Sequence, residues 1–341
     1  MTTVRMMQAD DVSAWDEFVV SHPEATFFHR AGWKTVLERA FSHRGHYLLA
    51  ERNGEVTGVL PLARVRSRLF HDALISTPFC VYGGPVAADE AAREALIEAA
   101  SAQARRLGVD YLELRERRPS RPDWAAKSLY VTFRRELAAD HEANLKAVPR
   151  KQRAVIRKSL KAGLEARADG DLDAFYRVYS ESLRNLGTPV FAKRYARMLL
   201  ETFPEDTEIL TVRRQGRPLS AVLSFYFRDE VLPYYGGGIP AARELKAYDL
   251  MYWDLMRRAV DRGIRVFDFG RSKRDTGSYA YKVHWGFEPQ ALHYEYDLVR
   301  LRQLPDLSPK NPKYERFIRL WQRLPLPLSR VLGPPLARSL G

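Results

Sequence analysis

Residues 208–240, "EILTVRRQGRPLSAVLSFYFRDEVLPYYGGGIP", read as a hairpin and then a third strand that runs into three glycines. Apolar and β-branched runs broken by a turn predict paired strands. A helix follows from about Tyr248 to Arg262. Its Leu250, Trp253, Leu255, Met256, Ala259 and Val260 recur at the spacing of a core-facing stripe. "GIRVFDFGRS" (263–272) then reads as a further strand. The first half of the chain has the same plan. "YLLAERNGEVTGVLPLARVRS" (47–67) is strand, Asn53-Gly54 turn, strand. "ALISTPFCVYGGPVA" (73–87), a helix from about Asp89 to Leu107 and "GVDYLELRE" (108–116) complete it, with "VYGGP" matching "YYGGG".

A repeated order of hairpin, strand, helix and strand predicts one supersecondary unit used twice. Each copy has helical segments before it: "AGWKTVLERAF" (31–41) in the first, "LDAFYRVYSESLRNLG" (172–187) and "KRYARMLLETF" (193–203) in the second. The order resembles the acetyltransferase-like (GNAT) core. The expected fold is therefore mixed α/β: two tandem GNAT-like domains, each a mixed sheet flanked by helices. The expected boundaries are 1–139 for the first domain and 140–300 for the second, which carries the site. A basic, Pro-rich segment, 301–341, would pack on the first domain or on a membrane surface.

Composition bounds the partners. The 341 residues hold 55 Lys and Arg against 42 Asp and Glu, a formal +13. Such an excess attracts polyanions. The single cysteine, Cys80, excludes an internal disulfide framework. No apolar run of signal-peptide or membrane-spanning type appears, so the expected location is cytoplasmic, with peripheral contact at the inner face of the membrane. Two segments concentrate the charge. "VPRKQRAVIRKSLKAGLEAR" (148–167) predicts a helix from about Arg150 to Ala162, with Val155, Ile156 and Leu160 on one side. Arg150, Lys151, Arg153, Arg157 and Lys158 would form a polyanion-binding face, for tRNA or a pyrophosphate carrier. "KYERFIRLWQR" (313–323) sets Phe317, Ile318, Leu320 and Trp321 against Lys313, Arg316, Arg319 and Arg323. That pattern suits an anionic membrane or packing on the protein.

The chain has no HExxH, Cys-x-x-Cys, GxSxG or Walker loop, and its histidines are scattered, so no metal is expected. "GGGIPAARELKAYD" (236–249) lacks the loop that cradles the coenzyme A pyrophosphate in ordinary acetyltransferases. What remains is "DFGRSKRDTGSYAYKVHWGF" (268–287). Gly270 ends a strand, "RDTGS" reads as a turn, and "YAYKVHWGF" alternates as a strand with Tyr279, Tyr281, Val283 and Trp285 on one face. Lys282, emerging beside a strand end, is placed to meet the oxyanion of an acyl-transfer intermediate.

Three stretches resemble the FemAB family of aminoacyl-tRNA-dependent peptidyltransferases: the basic helix, "LPYYGGG", and "FDFGRS…GSYAYKVHWGF". "STPFCVYGGPVA", "YKVHWGFEPQALHYEY" and "RLPLPLSRVLGPPLAR" further resemble the FemAB-like proteins of exosortase (PEP-CTERM) and exopolysaccharide clusters. The resemblance implies catalytic roles for Lys282 (oxyanion) and Tyr281 (positioning). Arg271, Ser272, Lys273, Asp268, Tyr279, Tyr235, Tyr82 and Trp33 are the substrate-binding candidates. It implies an aminoacyl-tRNA or acyl-thioester donor, no tightly bound cofactor, and a surface-polymer precursor as acceptor. Attack by the acceptor amine on the donor ester would need no strict protein base. Two other readings stand beside it: an N-acyltransferase using coenzyme A or acyl-carrier thioester on a small amine, and a non-catalytic basic adaptor of glycan assembly.

Overall fold

The computed structural model describes residues 2–67, 71–304 and 312–339, with side chains from Glu315 onward in the helix that begins at Pro312. The chain forms two units. The first runs to Tyr130 and takes up the chain again from Ala291, and the second is Val131–Gln290 with the terminal helices as far as Ala337. The division departs from the boundaries expected at 139 and 300. Arg134–Glu136 pairs with Val266–Asp268 in the second unit. His293–Leu298, read from sequence as part of the second domain, pairs with Tyr111–Glu116 of the first. Strand edges seek partners wherever they lie, and local sequence does not encode which sheet completes its edge.

In the first unit, Leu62–Arg66, Asp72–Ser76, Tyr111–Glu116, His293–Leu298 and Ala125–Lys127 form a sheet in that spatial order. The helix Glu90–Leu107 starts at Asp89, whose side chain accepts from the Ala92 amide, and stops at Gly108 in the left-handed region. Leu96, Ile97, Ala100 and Ala104 of that helix are buried with Leu74, Leu112 and Leu114 of the sheet.

The second unit is built on six strands, ordered Arg134–Glu136, Val266–Asp268, Glu230–Gly238, Arg217–Phe227, Thr207–Arg214, Glu165–Arg167. Arg217–Phe227 is buried at every position after Arg217, as a strand covered on both faces must be. The glycines of Glu230–Gly238 show what covers it. A Cβ on Gly237 would lie 2.8 Å from the Ser182 Cβ, and one on Gly236 would lie 3.1 Å from the Tyr252 hydroxyl. Consecutive strand residues face opposite ways. The helix Leu172–Leu186 therefore covers one face and the helix Ala247–Asp261 the other.

One pairing positions the site. Glu230–Gly238 and Val266–Asp268 run parallel and pair at Glu230↔Val266 and Val231↔Phe267. The strand ends at Asp268, and the chain leaving it turns toward Phe133, whose carbonyl accepts from the Phe269 amide at 2.8 Å.

The segment expected on the first domain or a membrane surface divides: its two helices, as far as Ala337, pack on the second unit, while Arg338 belongs to the first, its carbonyl 2.8 Å from His43 Nε2. Arg184 Nη1 donates to Gln322 O (3.3 Å) and Leu324 O (3.2 Å). Gly187, at positive φ, lies so close to Ile318 that a Cβ there would overlap the Ile318 side chain. No helix among the described residues is long and apolar enough to cross a membrane. The Lys313 side chain, expected among the cations here, lies outside the described residues.

Candidate active site

The stretch read as a strand is a helix. Thr276 caps Gly277–His284 by accepting from the Tyr279 amide. Alternating aromatic and polar residues favour a strand only when a sheet edge is there to receive them. Here the cap and tertiary contacts of both Tyr281 and Lys282 decide otherwise, and about 100° of helical rotation separates the two side chains.

Lys282 turns back toward the strand end. Its Nζ donates to Gly270 O at 2.8 Å and to Arg271 O at 3.1 Å, and it lies 5.4 Å from the centre of the Phe133 ring. Gly270, at φ +68°, bends the chain so that these carbonyls face inward. The side chain is 9% exposed. Burial brings its ammonium down to about 7, with Asp268 opposing the shift and Arg271 adding to it.

Asp268 is fully enclosed. Its Oδ1 accepts from Thr132 Oγ1 (2.9 Å) and the Gly270 amide (2.7 Å), and Oδ2 lies 3.4 Å from Arg134 Nε. Its carboxylate thus shapes the turn that carries the Gly270 and Arg271 carbonyls. Ser272 is buried, and its hydroxyl has no partner among the described residues. Arg271 is exposed and Lys273 half-buried. Tyr279 is half-buried against Phe133, with ring centres 5.3 Å apart.

Tyr281 points the other way. Its hydroxyl donates to Asp249 Oδ1 at 3.1 Å, and Gln152 Nε2 donates to the same oxygen at 2.6 Å. Burial pushes the Asp249 carboxyl up, while the bonds from Gln152 and Tyr281 hold it down. Sequence reasoning missed Asp249 and Gln152. The available signals were an acid immediately before the apolar stripe that begins at Leu250 and an amide among the cations at 150–153.

Gln152 belongs to the basic helix, Arg150–Leu160, whose buried residues are Gln152, Ile156 and Ser159. Leu160, expected on the apolar side, is 50% exposed. Arg150, Lys151, Arg157 and Lys158 are exposed and Arg153 half-buried. Pro149, just before this helix, meets the end of the lysine-bearing helix. A Cβ on Gly286 would lie 2.8 Å from Pro149 Cδ. The helices that carry the basic face and Lys282 thus meet through their flanking residues, Pro149 and Gly286.

Three candidates remain: Tyr235 of the second unit, and Trp33 and Tyr82 of the first. Tyr235 lines an aromatic pocket with Phe175, Tyr176, Tyr179, Phe191 and Tyr195, and its hydroxyl lies 2.7 Å from that of Tyr195. Trp33 and Tyr82 are core residues of the first unit. Trp33 is fully buried, with Nε1 donating to Phe27 O at 3.1 Å. The Tyr82 ring packs near Phe28, with the Arg117 guanidinium 5.3 Å from its centre. Large aromatics beside glycines resemble ligand platforms in sequence, yet burial of their area in a core is the commoner use.

The glycine run at 236–238 makes room for the protein itself. A Cβ on Gly238 would fall 2.6 Å from the Tyr248 ring. Downstream, the helix Ala247–Asp261 carries Asp249 in its first turn. An acid there opposes a phosphate at the helix start. The residues present do not fit a coenzyme A pyrophosphate in that position.

Residues 150–283, from the basic helix to the end of the lysine motif, match the family described as Acetyltransferase (GNAT) domain. Fold and match together define an acyltransferase of the GNAT fold. At the level of fold the chain is similar to FemX: TM-score 0.67 at 14% identity, over 94% of this chain and 100% of that one. It is also similar to the C-terminal (DUF2156) domain of an Agrobacterium fabrum protein named for lysylphosphatidylglycerol synthesis (TM-score 0.59, 13% identity, 84% and 92% of the two chains). A tandem GNAT protein of clavulanic acid biosynthesis gives TM-score 0.54 at 13% identity over 87% and 98%. No curated protein matches the chain.

Proposed function

We propose that this acyltransferase moves an aminoacyl group from aminoacyl-tRNA to an amine of a cell-surface polymer precursor, in an exopolysaccharide or exosortase-associated setting. The observation that carries the reading is Lys282, an ammonium held in a buried position past a strand end by two backbone carbonyls. An ammonium has three hydrogens. Two are taken by Gly270 and Arg271, and the third serves the substrate. The acceptor nitrogen forms a bond to the donor carbonyl carbon, and its π pair moves onto oxygen. Lys282 meets the resulting oxyanion, with the Ser272 hydroxyl as a second donor. Collapse breaks the ester C–O bond, and the proton lost by nitrogen passes to the departing ribose oxygen. Charge stabilisation in a water-poor site can lower such a barrier by several kcal/mol.

Two features favour tRNA over a thioester as donor. The basic helix presents four exposed cations close to the lysine helix, and the first turn of the helix after the glycine run holds an acid, Asp249, where a phosphate would be disfavoured. The acceptor class rests on the sequence resemblance. The deciding experiment supplies aminoacyl-tRNA, acetyl-coenzyme A and acyl-carrier thioester in parallel to wild type and Lys282→Met, with envelope-precursor amines as acceptors. Transfer from aminoacyl-tRNA that depends on Lys282 supports the reading. Transfer from a thioester alone replaces it with N-acylation of a small amine.

A further inference from the structure

The last helix, Leu326–Ala337, is built inside out. Its buried residues are Ser329, Gly333 and Ala337, four apart on one stripe. A Cβ on Gly333 would lie 2.8 Å from Val190 O, so the fit allows nothing larger. The large apolar residues face the other way, with Leu328 43%, Val331 69% and Leu332 43% exposed. Positions 328, 331 and 332 share one helical face. The helix before it, Pro312–Gln322, also leaves large apolar residues outward. Trp321 is buried, while Leu320 is 66% and Phe317 37% exposed. Leu186, last residue of the helix on which both pack, is 63% exposed. These six are more than half of the eleven large hydrophobics exposed among the described residues. A clustered apolar surface of this kind marks an interaction site.

The charge beside it selects the partner. Arg316, Arg319 and Arg323 are exposed, and none forms an ion pair with a carboxylate among the described residues. A second copy of this chain joined by two-fold symmetry would set these arginines against their own counterparts. An anionic bilayer meets them with opposite charge and takes the leucines into its acyl boundary. We propose that the two terminal helices form a peripheral docking face for anionic lipid. Nothing in this proposal depends on the chemistry at Lys282.

The test is flotation of the full chain with vesicles of phosphatidylglycerol and phosphatidylcholine, and with phosphatidylcholine alone, in the absence of any substrate. Wild type should float with the anionic vesicles and partition about tenfold less onto the neutral ones. Val331→Asp combined with Leu332→Asp should cut anionic partition by about tenfold or more. Should that variant lose its fold by circular dichroism, Arg316→Gln, Arg319→Gln and Arg323→Gln together, all at exposed positions, carry the test with the same expectation. Failure of wild type to float overturns the proposal, as does flotation unaffected by the folded variant. A dimer seen by light scattering that the aspartates dissolve, without vesicle binding, overturns it in favour of self-association. Because no substrate is present, loss of transfer in Lys282→Met and loss of flotation are separate results.

Discussion

Tyr281 and Asp249, 32 residues apart, share a hydrogen bond of 3.1 Å, and the same carboxylate oxygen holds Gln152 of the basic helix at 2.6 Å. One buried acid thereby ties three helices together: the basic one, its own, and the one bearing Lys282. Tyr281→Phe should leave Asp249 with one donor fewer and cost about 1–2 kcal/mol. Asp249→Ala should cost about 1–3 kcal/mol, because it strips two buried donors of their acceptor. A double-mutant cycle by chemical denaturation checks the pair, and additive losses would remove the proposed coupling.

The folded carboxyl of Asp249 lies above its ordinary value of 3.8. The native chain then binds more protons than the unfolded one across the window starting at 3.8, so this group's contribution to stability falls as pH rises through it. Asp249→Asn should flatten that part of the stability profile, measured as denaturation midpoints at a series of pH values.

Lys282 carries the chemistry in the proposed reaction. Lys282→Met should lower kcat by about 10²-fold or more with small change in acceptor affinity, as loss of one oxyanion donor does. With an ammonium at about 7, turnover should decline as pH rises through that value, because the neutral amine no longer offsets the oxyanion. Stability runs the other way. The native lysine binds fewer protons than the unfolded one between about 7 and 10.5, so its contribution rises with pH in that window. A rate profile that climbs steadily above pH 7 would remove the charged lysine from the mechanism.

The basic helix predicts salt-dependent binding. Replacing Arg150, Lys151, Arg157 and Lys158 by Gln touches exposed side chains only, so thermal stability should stay within about 0.5 kcal/mol. Affinity for tRNA should fall, and the slope of log affinity against log salt should shrink by about 1 for each phosphate left without its cation. Binding titrations at several salt concentrations measure both.

Gly286 is fixed by two constraints, φ +79° and a Cβ position 2.8 Å from Pro149 Cδ. Gly286→Ala should cost about 1–3 kcal/mol in stability. Because it pushes the lysine helix from the start of the basic helix, kcat should fall more than the thermal midpoint alone would explain. Comparison of turnover at a temperature well below the midpoint tests this.

Local pattern was enough to find most of the elements. The Asn53-Gly54 turn is flanked by strands Leu48–Arg52 and Glu55–Leu60, and the helices expected at 89–107 and 248–262 lie at Glu90–Leu107 and Ala247–Asp261. Those features depend on turn chemistry, caps and periodicity, which neighbouring residues carry in full. The Gly270 bend and Lys282 beside it were also legible, because a glycine at a strand end and a lysine close behind are read one after the other. The helix at Gly277–His284 was not. "YAYKVHW" has a strand's alternation, and its helical state rests on Thr276, Asp249 and the carbonyls of Gly270 and Arg271. The sheet assignments of Arg134–Glu136 and His293–Leu298, the core positions of Trp33 and Tyr82, and the outward leucines of the last helix were equally hidden. Each depends on which surface arrives from a distant part of the chain, and a residue's own neighbours in sequence hold no record of that.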